Sequence, residues 1–478
     1  MLPGNEVTIS DTPAAQPDLT STGTLFVAAL ADRGPLAPVE IRSLEDLERT
    51  FGPRVSYSQL HDALRAFLGE RGTRAVVSRI VGPGATTASV NLAGTTGTAL
   101  IADASSPGDW AHAYSVDVDD AAGKRVVRVL KGTTEVERSP ECATNDDLIT
   151  WSQNTRSGAI VRLRLGAGSG LVTATASATA FAGGADDRTN VTDAHRRAAL
   201  ERIPAELGPG QLVSLGGTTS TANVDLFTVA AATNRFAYAA APKSATVADL
   251  VTLAGALRAL GAIGRRGQLF AQYATIPGTI AGTTVDVPYG VVQAGMTARV
   301  DAAQGTHTPA AGRNGVSEMT VALSATYTDA ERRQLADAGV TVARVMGGRA
   351  RTYDIVTLAD PVTDGNWVDA AGARVVMRIA AEFAELAEDY DFRTIDGEGR
   401  ALAQFGNELR GLLLRHWRSG ALYGATPDEA FRVESGPAIN PPARLLDGYL
   451  RAATALRTSP HPRRVQVDLS KTPITQAV

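Results

Sequence analysis

The sequence predicts a multidomain protein of α/β and α+β class with extended β-strand arms at both ends. Three observations predict it. Strand-like apolar runs alternate with helical patterns over residues 21–84 and again from about Val191, the signature of an α/β layer. Short period-2 segments crowd residues 85–186, which marks a β-rich insertion. Both ends carry an alternating strand that breakers set apart from the body of the chain.

At the N-terminus, Glu6-Val7-Thr8-Ile9-Ser10 alternates, and Pro13 and Pro17 follow. At the C-terminus, Val465, Val467 and Leu469 alternate with Gln466, Asp468 and Ser470, behind a Ser459-Pro460-His461-Pro462 leash. A lone strand leaves backbone donors and acceptors unpaired and needs a sheet edge. Two such ends suit a subunit that completes its neighbours by strand addition. The plainer alternative is two frayed or locally docked termini.

Between the arms, Gly23 to Leu30 reads as a buried strand. Ser43, with Asp46 three positions on, opens a helix that Gly52-Pro53 stops. A second helix runs from about Ser58 to Leu68, and Arg74 to Val81 is a strand. In the insertion, the Gly-Ala-Gly-Ser-Gly run at 166–170 lacks the spacing of a dinucleotide fingerprint and reads as a hairpin turn. Thr246 with Asp249 and Thr328 with Glu331 cap two further helices, Gly339 closing the second, and Val340 to Val345 is a strand. Val376, Ile379, Phe383 and Leu386 stripe a C-terminal helix whose other side carries Glu382, Glu385, Glu388 and Asp389. Leu402 to Trp417 gives a second helix and Arg444 to Leu456 a third. The predicted division is therefore an arm at 1–20, an α/β core from 21–84 plus 187–360, an insertion at 85–186, a C-terminal domain at 361–462 and an arm at 463–478.

The chain has 478 residues and a net charge of −4. That length calls for two to four domains, and that charge argues against a nucleic-acid binder working through a basic surface. Cys142 is the single cysteine, so neither an intrachain disulfide nor a cysteine-based zinc site is open to it. This fits assembly in a reducing cytoplasm, or a particle whose stability does not rest on disulfides. No apolar stretch approaches a membrane span, and the first residues lack the basic-then-apolar pattern of a secretory signal.

Catalytic patterns are missing. The six histidines are scattered, and no H-E-x-x-H, G-x-S-x-G or Walker A spacing occurs. Asp103, Asp109, Asp117, Asp119 and Asp120 lack calcium-loop spacing. His307, in Gly305-Thr306-His307-Thr308-Pro309, sits in a polar loop that could suit a site but has no partner nearby in sequence, so it reads as a surface or packing residue, the alternative being a triad assembled from distant segments. The 382–389 carboxylates are either a solvated face or a docking surface for a basic partner. No cofactor or metal site is expected.

Several segments, in order, resemble contractile tail sheath proteins of myoviruses, tailocins and related injection systems. They are Thr22 to Ala29 leading to Asp32-Arg33-Gly34-Pro35; Ser43 to Gly52; Arg74 to Val81; Val287-Pro288-Tyr289-Gly290; Ala294 to Asp301; Gly305 to Ala310; and Ala338 to Ala350. The most specific is Leu412 to Gly424, containing Trp417, Gly420-Ala421-Leu422 and Gly424, followed by Glu429-Ala430-Phe431-Arg432-Val433. The chain departs from the family pattern at Ala371 to Arg378 and at Ser435-Gly436-Pro437.

The resemblance implies a structural, non-enzymatic subunit of a phage tail or injection particle assembled in the bacterial cytoplasm. Six copies would form a ring, and rings would stack helically around an inner tube. The remaining partners would be baseplate and tail terminator proteins, without direct nucleic-acid contact or membrane insertion. Residues 6–10 and 465–469 would add strands to neighbours. The C-terminal domain would face the tube, with Glu382, Glu385 and Glu388 as candidate docking residues, and the insertion would point outward. Two other classes are an α/β hydrolase with an unrecognised triad and a non-contractile virion structural protein.

Overall fold

The computed structural model describes residues 21–154 and 158–463. Both predicted arm strands, 6–10 and 465–469, lie outside the described residues.

Seven strands build the central sheet: β1 (Leu25–Leu30), β2 (Val39–Ile41), β3 (Ala75–Ile80), β4 (Gln211–Ser214), β5 (Phe236–Ala240), β6 (Gly267–Phe270) and β7 (Val340–Thr341). Their spatial order is β7-β6-β5-β4-β1-β3-β2. All neighbours are parallel except β2, which pairs antiparallel with β3 at one edge. Parallel strands are covered on both faces, so β1 and β5 read as unbroken apolar runs, and the polar residues of β3, β4 and β6, such as Ser78, Gln211 and Gln268, are buried. Within β1, Leu25, Val27 and Ala29 face one core, shared with the helices Leu44–Phe51, Leu60–Gly69 and Tyr289–Gln304. Phe26 and Ala28 face the other, shared with Asp193–Glu201, Ser220–Ala232, Val247–Arg258 and Asp329–Ala338.

The predicted caps are present. The Ser43 side chain accepts from the Asp46 amide, and Thr246/Asp249 and Thr328/Glu331 form reciprocal capping boxes. Gly339 ends its helix at φ +83°, in the left-handed region where a side chain is strained. Val340 to Val345 is not one strand. It breaks at Val342: β7 stays in the sheet, and Ala343–Met346 leaves to form a two-stranded ribbon with Arg349–Thr352.

The insertion folds around a core of its own, including Val90, Leu100, Trp110, Val116, Val127, Leu163 and Phe181. A three-stranded and a four-stranded antiparallel sheet enclose it. The expected hairpin turn at 166–170 is instead an extended edge. The Gly166 and Gly168 amides donate to Ala99 and Thr98 carbonyls, and the Thr96 and Ser169 amides and carbonyls exchange bonds. A Cβ at Gly168 would sit 2.2 Å from the Thr96 carbonyl oxygen. The glycines therefore permit close backbone approach rather than a reversal.

Arg79, at the end of β3, ties the insertion to the sheet. It is fully buried and donates to the carbonyls of Ala31, Asp32, Gly34 and Pro107. Three of these carbonyls belong to the loop after β1 and the fourth to the insertion. Burial pulls its guanidinium down to about 10.

The C-terminal part contains the helices Ala370–Glu388 and Arg400–Arg418. The expected third helix over 444–456 is a correction. A short helix, Pro442–Leu446, ends near Gly448 at φ +79°, and Ala453–Leu456 is a strand paired with Phe431–Glu434. Buried Asn440 enforces this, because its side chain accepts from the Arg451 amide and donates to the Ser435 and Arg451 carbonyls. Such a local bridge outcompetes a helix of weak apolar periodicity.

Arg79→Met removes every donor from four carbonyls. Stability should fall by about 3 kcal/mol or more, since buried acceptors left unpaired cost roughly 1–3 kcal/mol each. Urea denaturation followed by circular dichroism measures this, and proteolysis within 82–108 should quicken.

Candidate functional site: a helix that anchors both ends of the described chain

The helix Ala370–Glu388 forms because small and apolar residues face the core over its first half, with Ala370, Ala373, Val375, Met377 and Ile379 all buried. Asp369 caps it, accepting from the Ala371 amide at 3.0 Å. Polar contacts then follow at close to every turn, and they reach both ends of the described chain.

At the first turn, the second Asp369 carboxylate oxygen meets His461 Nδ1 at 2.6 Å. His461 lies in the leash before the C-terminal arm. Two residues on, Arg463 makes a two-pronged pair with Asp354 at 3.0 and 2.9 Å. At the second turn, buried Arg374 pairs with buried Asp301 of the 289–304 helix. The same carboxylate oxygen accepts from the Thr22 hydroxyl at 2.6 Å, and Thr22 Oγ1 lies 3.0 Å from Thr306 Oγ1. Thr22 is the second of the described residues. At the next two turns, Arg378 Nε donates to Glu382 at 2.8 Å, and the other Glu382 oxygen meets His416 Nε2 at 2.7 Å. From residue 369 to 382 this spans about 20 Å at the helical rise.

Of these groups, Thr306, Arg378, Glu382 and His416 line a cleft of about 630 Å³ between the 305–307 loop and the two C-terminal helices. His307 and His416 line it, and His461 adjoins His307. Three of the six histidines thus converge, although they are far apart in sequence. Burial lowers the His307 pKa, and repulsion from His461 and His416 adds to it. The hydrogen bond to Asp369 raises that of His461 against the opposing effect of burial. Burial would raise Glu382, but the bonds from His416 and Arg378 outweigh it and hold the carboxyl below its usual range. Among the described residues no group of three or more His, Cys, Asp or Glu is placed to hold a metal ion.

The sequence-predicted acidic residues separate here. Glu382 and Glu385 both line the cleft, Glu382 half-buried and held by two partners and Glu385 exposed, whereas Glu388 is exposed and outside that lining. The Asp369, Arg374 and Asp301 contacts have no local sequence signal, because their partners lie tens to hundreds of residues away.

Beside this helix is the two-stranded ribbon Phe431–Glu434/Ala453–Leu456. Each of its strands has one strand partner among the described residues, so each presents an edge. A groove of about 720 Å³ runs along it, lined in part by Trp367, Gly372, Val376, Thr454, Leu456 and Thr458. The Trp417–Gly424 motif braces its base. The Trp417 indole donates to the Gly424 carbonyl at 2.9 Å, and a Cβ at Gly424 would meet the Ala430 amide at 2.7 Å.

No family model and no curated protein matches the sequence. Solved structures do match. The sheath tail protein Lin1278 from Listeria innocua aligns with a TM-score of 0.62 and 16% identity, over 87% of this chain and 89% of that one. The helical sheath of the anti-feeding prophage in its contracted state aligns at 0.58 and 14% identity, covering 99% of both chains. The contracted sheath complex of the extracellular contractile injection system PVC aligns at 0.54 and 13% identity, over 99% of this chain and 98% of that one. The chain has the fold of contractile sheath proteins along nearly its whole length.

Two outcomes are expected. Asp301→Asn leaves Arg374 a buried, uncompensated charge and should cost about 3–5 kcal/mol, read from the urea midpoint. For His461, the raised folded pKa means that its contribution is fully present below the ordinary histidine value near 6.5 and is lost as pH rises through the folded value. Proteolysis at 459–463, compared with His461→Ala at each pH, should be slower in wild type at pH 6 and converge by pH 8–9.

Proposed function

We propose that the chain is the subunit of a contractile sheath, stacked as hexameric rings around an inner tube and held extended until it shortens to drive that tube through a cell envelope. The carrying observation is the open ribbon 431–434/453–456, which lies beside the helix that anchors both arm roots in a chain with the sheath fold.

In this reading, strands 6–10 and 465–469 of neighbouring copies add to the ribbon. Each strand contributes a few backbone bonds of roughly 0.5–1.5 kcal/mol net. A single tie is modest, but a chain tied at both ends makes a connected mesh. The leashes absorb rotation of the subunit bodies while the sheets persist. Contraction needs stored free energy and no nucleotide. An additional 400 Å² or so of apolar burial per copy supplies roughly 10 kcal/mol gross, and many copies act together.

The parts divide as 21–84 with 187–360 for the core, 85–186 for an outward insertion and 361–462 for the tube-facing domain. Self-assembly and baseplate association are the partners this reading implies. An AFP baseplate structure contains a chain of the same fold, aligned at a TM-score of 0.56 with 13% identity. The exposed Glu385 and Glu388 remain candidates for the tube contact, with Glu382 serving inside the cleft.

Deleting residues 463–478 should leave a folded subunit, by circular dichroism, that no longer polymerises. Normal sheaths from that truncation in electron micrographs would remove the arm mechanism. Wild-type particles should occur in two lengths, the shorter one wider; a single length and diameter would favour a static structural protein. Reversing Glu385 and Glu388 should weaken co-sedimentation with the tube protein.

A further inference from the structure

The ribbon Ala343–Met346/Arg349–Thr352 has no part in the site above, and its composition is unusual. Arg344 lies directly opposite Arg351, and Met346 opposite Arg349, so all three arginines share one face of the ribbon. Arg313 is close by, because the amide of Gly312 bonds the Thr352 carbonyl. Like charges directly opposite across a ribbon are destabilising. Among the described residues, no hydrogen bond or ion pair to a carboxylate relieves them. Arg344 stacks over Tyr353 at 4.7 Å, and Met346 and Tyr353 are exposed apolar surface beside the charges, while Val345 is exposed on the other face of the ribbon. Arg349 is exposed and Arg344 and Arg351 are half-buried; arginine and aromatic residues around an apolar centre have the composition of an interface core.

The opposite pattern occurs elsewhere on the same chain. Glu385, Glu388, Asp389 and Asp391 are exposed at the end of the 370–388 helix, and no ion pair engages them among the described residues. The Phe392 side chain stands fully exposed next to them. One surface is cationic with an apolar centre; the other is anionic with an aromatic at its edge.

We propose that the arginine face of the 343–352 ribbon docks on the acidic, Phe392-bearing end of the 370–388 helix in a second copy of this chain. The inference rests on the sheath reading and gives it a body-to-body contact in addition to the arms. Two different patches meet, so the contact is heterologous. Repeated, it closes into a ring or continues as a helical array. Opposite charge fixes register and speeds encounter, and the rim part of the contact weakens with salt.

The test is a charge swap in the full-length chain, read by sedimentation and electron microscopy of assembled particles. Arg344→Glu with Arg351→Glu should cut the polymerised fraction about tenfold or more, as should Asp389→Arg with Asp391→Arg, since like-charge juxtaposition costs several kcal/mol. Both should keep the wild-type melting curve. Combining all four should restore polymerisation. A second readout is oxidation of Met346→Cys/Phe392→Cys in a Cys142→Ser background, expected to give a ladder of covalent multimers. The proposal is overturned if the four-fold swap restores nothing, or if the cysteines join within one chain. It is equally overturned if the acidic variant loses tube binding while the arginine variant polymerises normally, which would give the acidic end to the tube. A wild-type chain that polymerises alongside an equally competent arginine variant sinks this contact and leaves the sheath reading standing. A wild-type chain that never polymerises removes both.

Discussion

The Asp301–Arg374 pair, with the Thr22 hydroxyl on the same carboxylate, is the contact on which the molecule's organisation depends. It sits almost completely out of water and joins three separate pieces of chain: the root of the N-terminal arm, a core helix under the sheet, and the first C-terminal helix. A buried ion pair is weak evidence of net stability, but losing one partner is costly because the other charge stays behind. The pair therefore acts chiefly to fix geometry. It holds the arm root, the sheet and the C-terminal helix in one register.

The 370–388 helix extends that constraint along its length. Five residues before Arg374, Asp369 both caps the helix and holds His461. Two turns further on, Glu382 links Arg378 to His416 on the 400–418 helix. Thr22 and His461, near the two ends of the described chain, are thus fastened to one helix within about two helical turns. A pull on either end of the described chain would reach the core through short, charge-assisted bonds.

The insertion is handled differently. It has its own core, and Arg79 holds it to the sheet by donating to carbonyls on both sides of the joint. Carboxylates add to this joint: Arg188 pairs with Asp109 and Asp186, and Asp187 accepts from the Gly84 amide. On the C-terminal side, ion pairs of the 370–388 helix reach Asp301, His416 and, through Asp369, His461.

Sequence by itself determined the elements whose cause is local. The caps at Ser43, Thr246 and Thr328 and the breaks at Gly52 and Gly339 follow from hydrogen bonds and backbone freedom within four residues. The doubly covered strand Leu25–Leu30 follows from an unbroken apolar run, and the 370–388 and 400–418 helices from apolar stripes. Tertiary structure decided whatever depends on a distant partner. Asn440 bridging to Arg451 turned an expected helix into a strand, and Thr95–Thr98 converted a glycine run from a turn into an edge. The fate of Glu382 was settled by His416, and three dispersed histidines were brought to one cleft. Periodicity reports which face of an element avoids water. It carries no record of which other element will cover that face, so long-range pairs of buried polar groups become legible once the chain is folded.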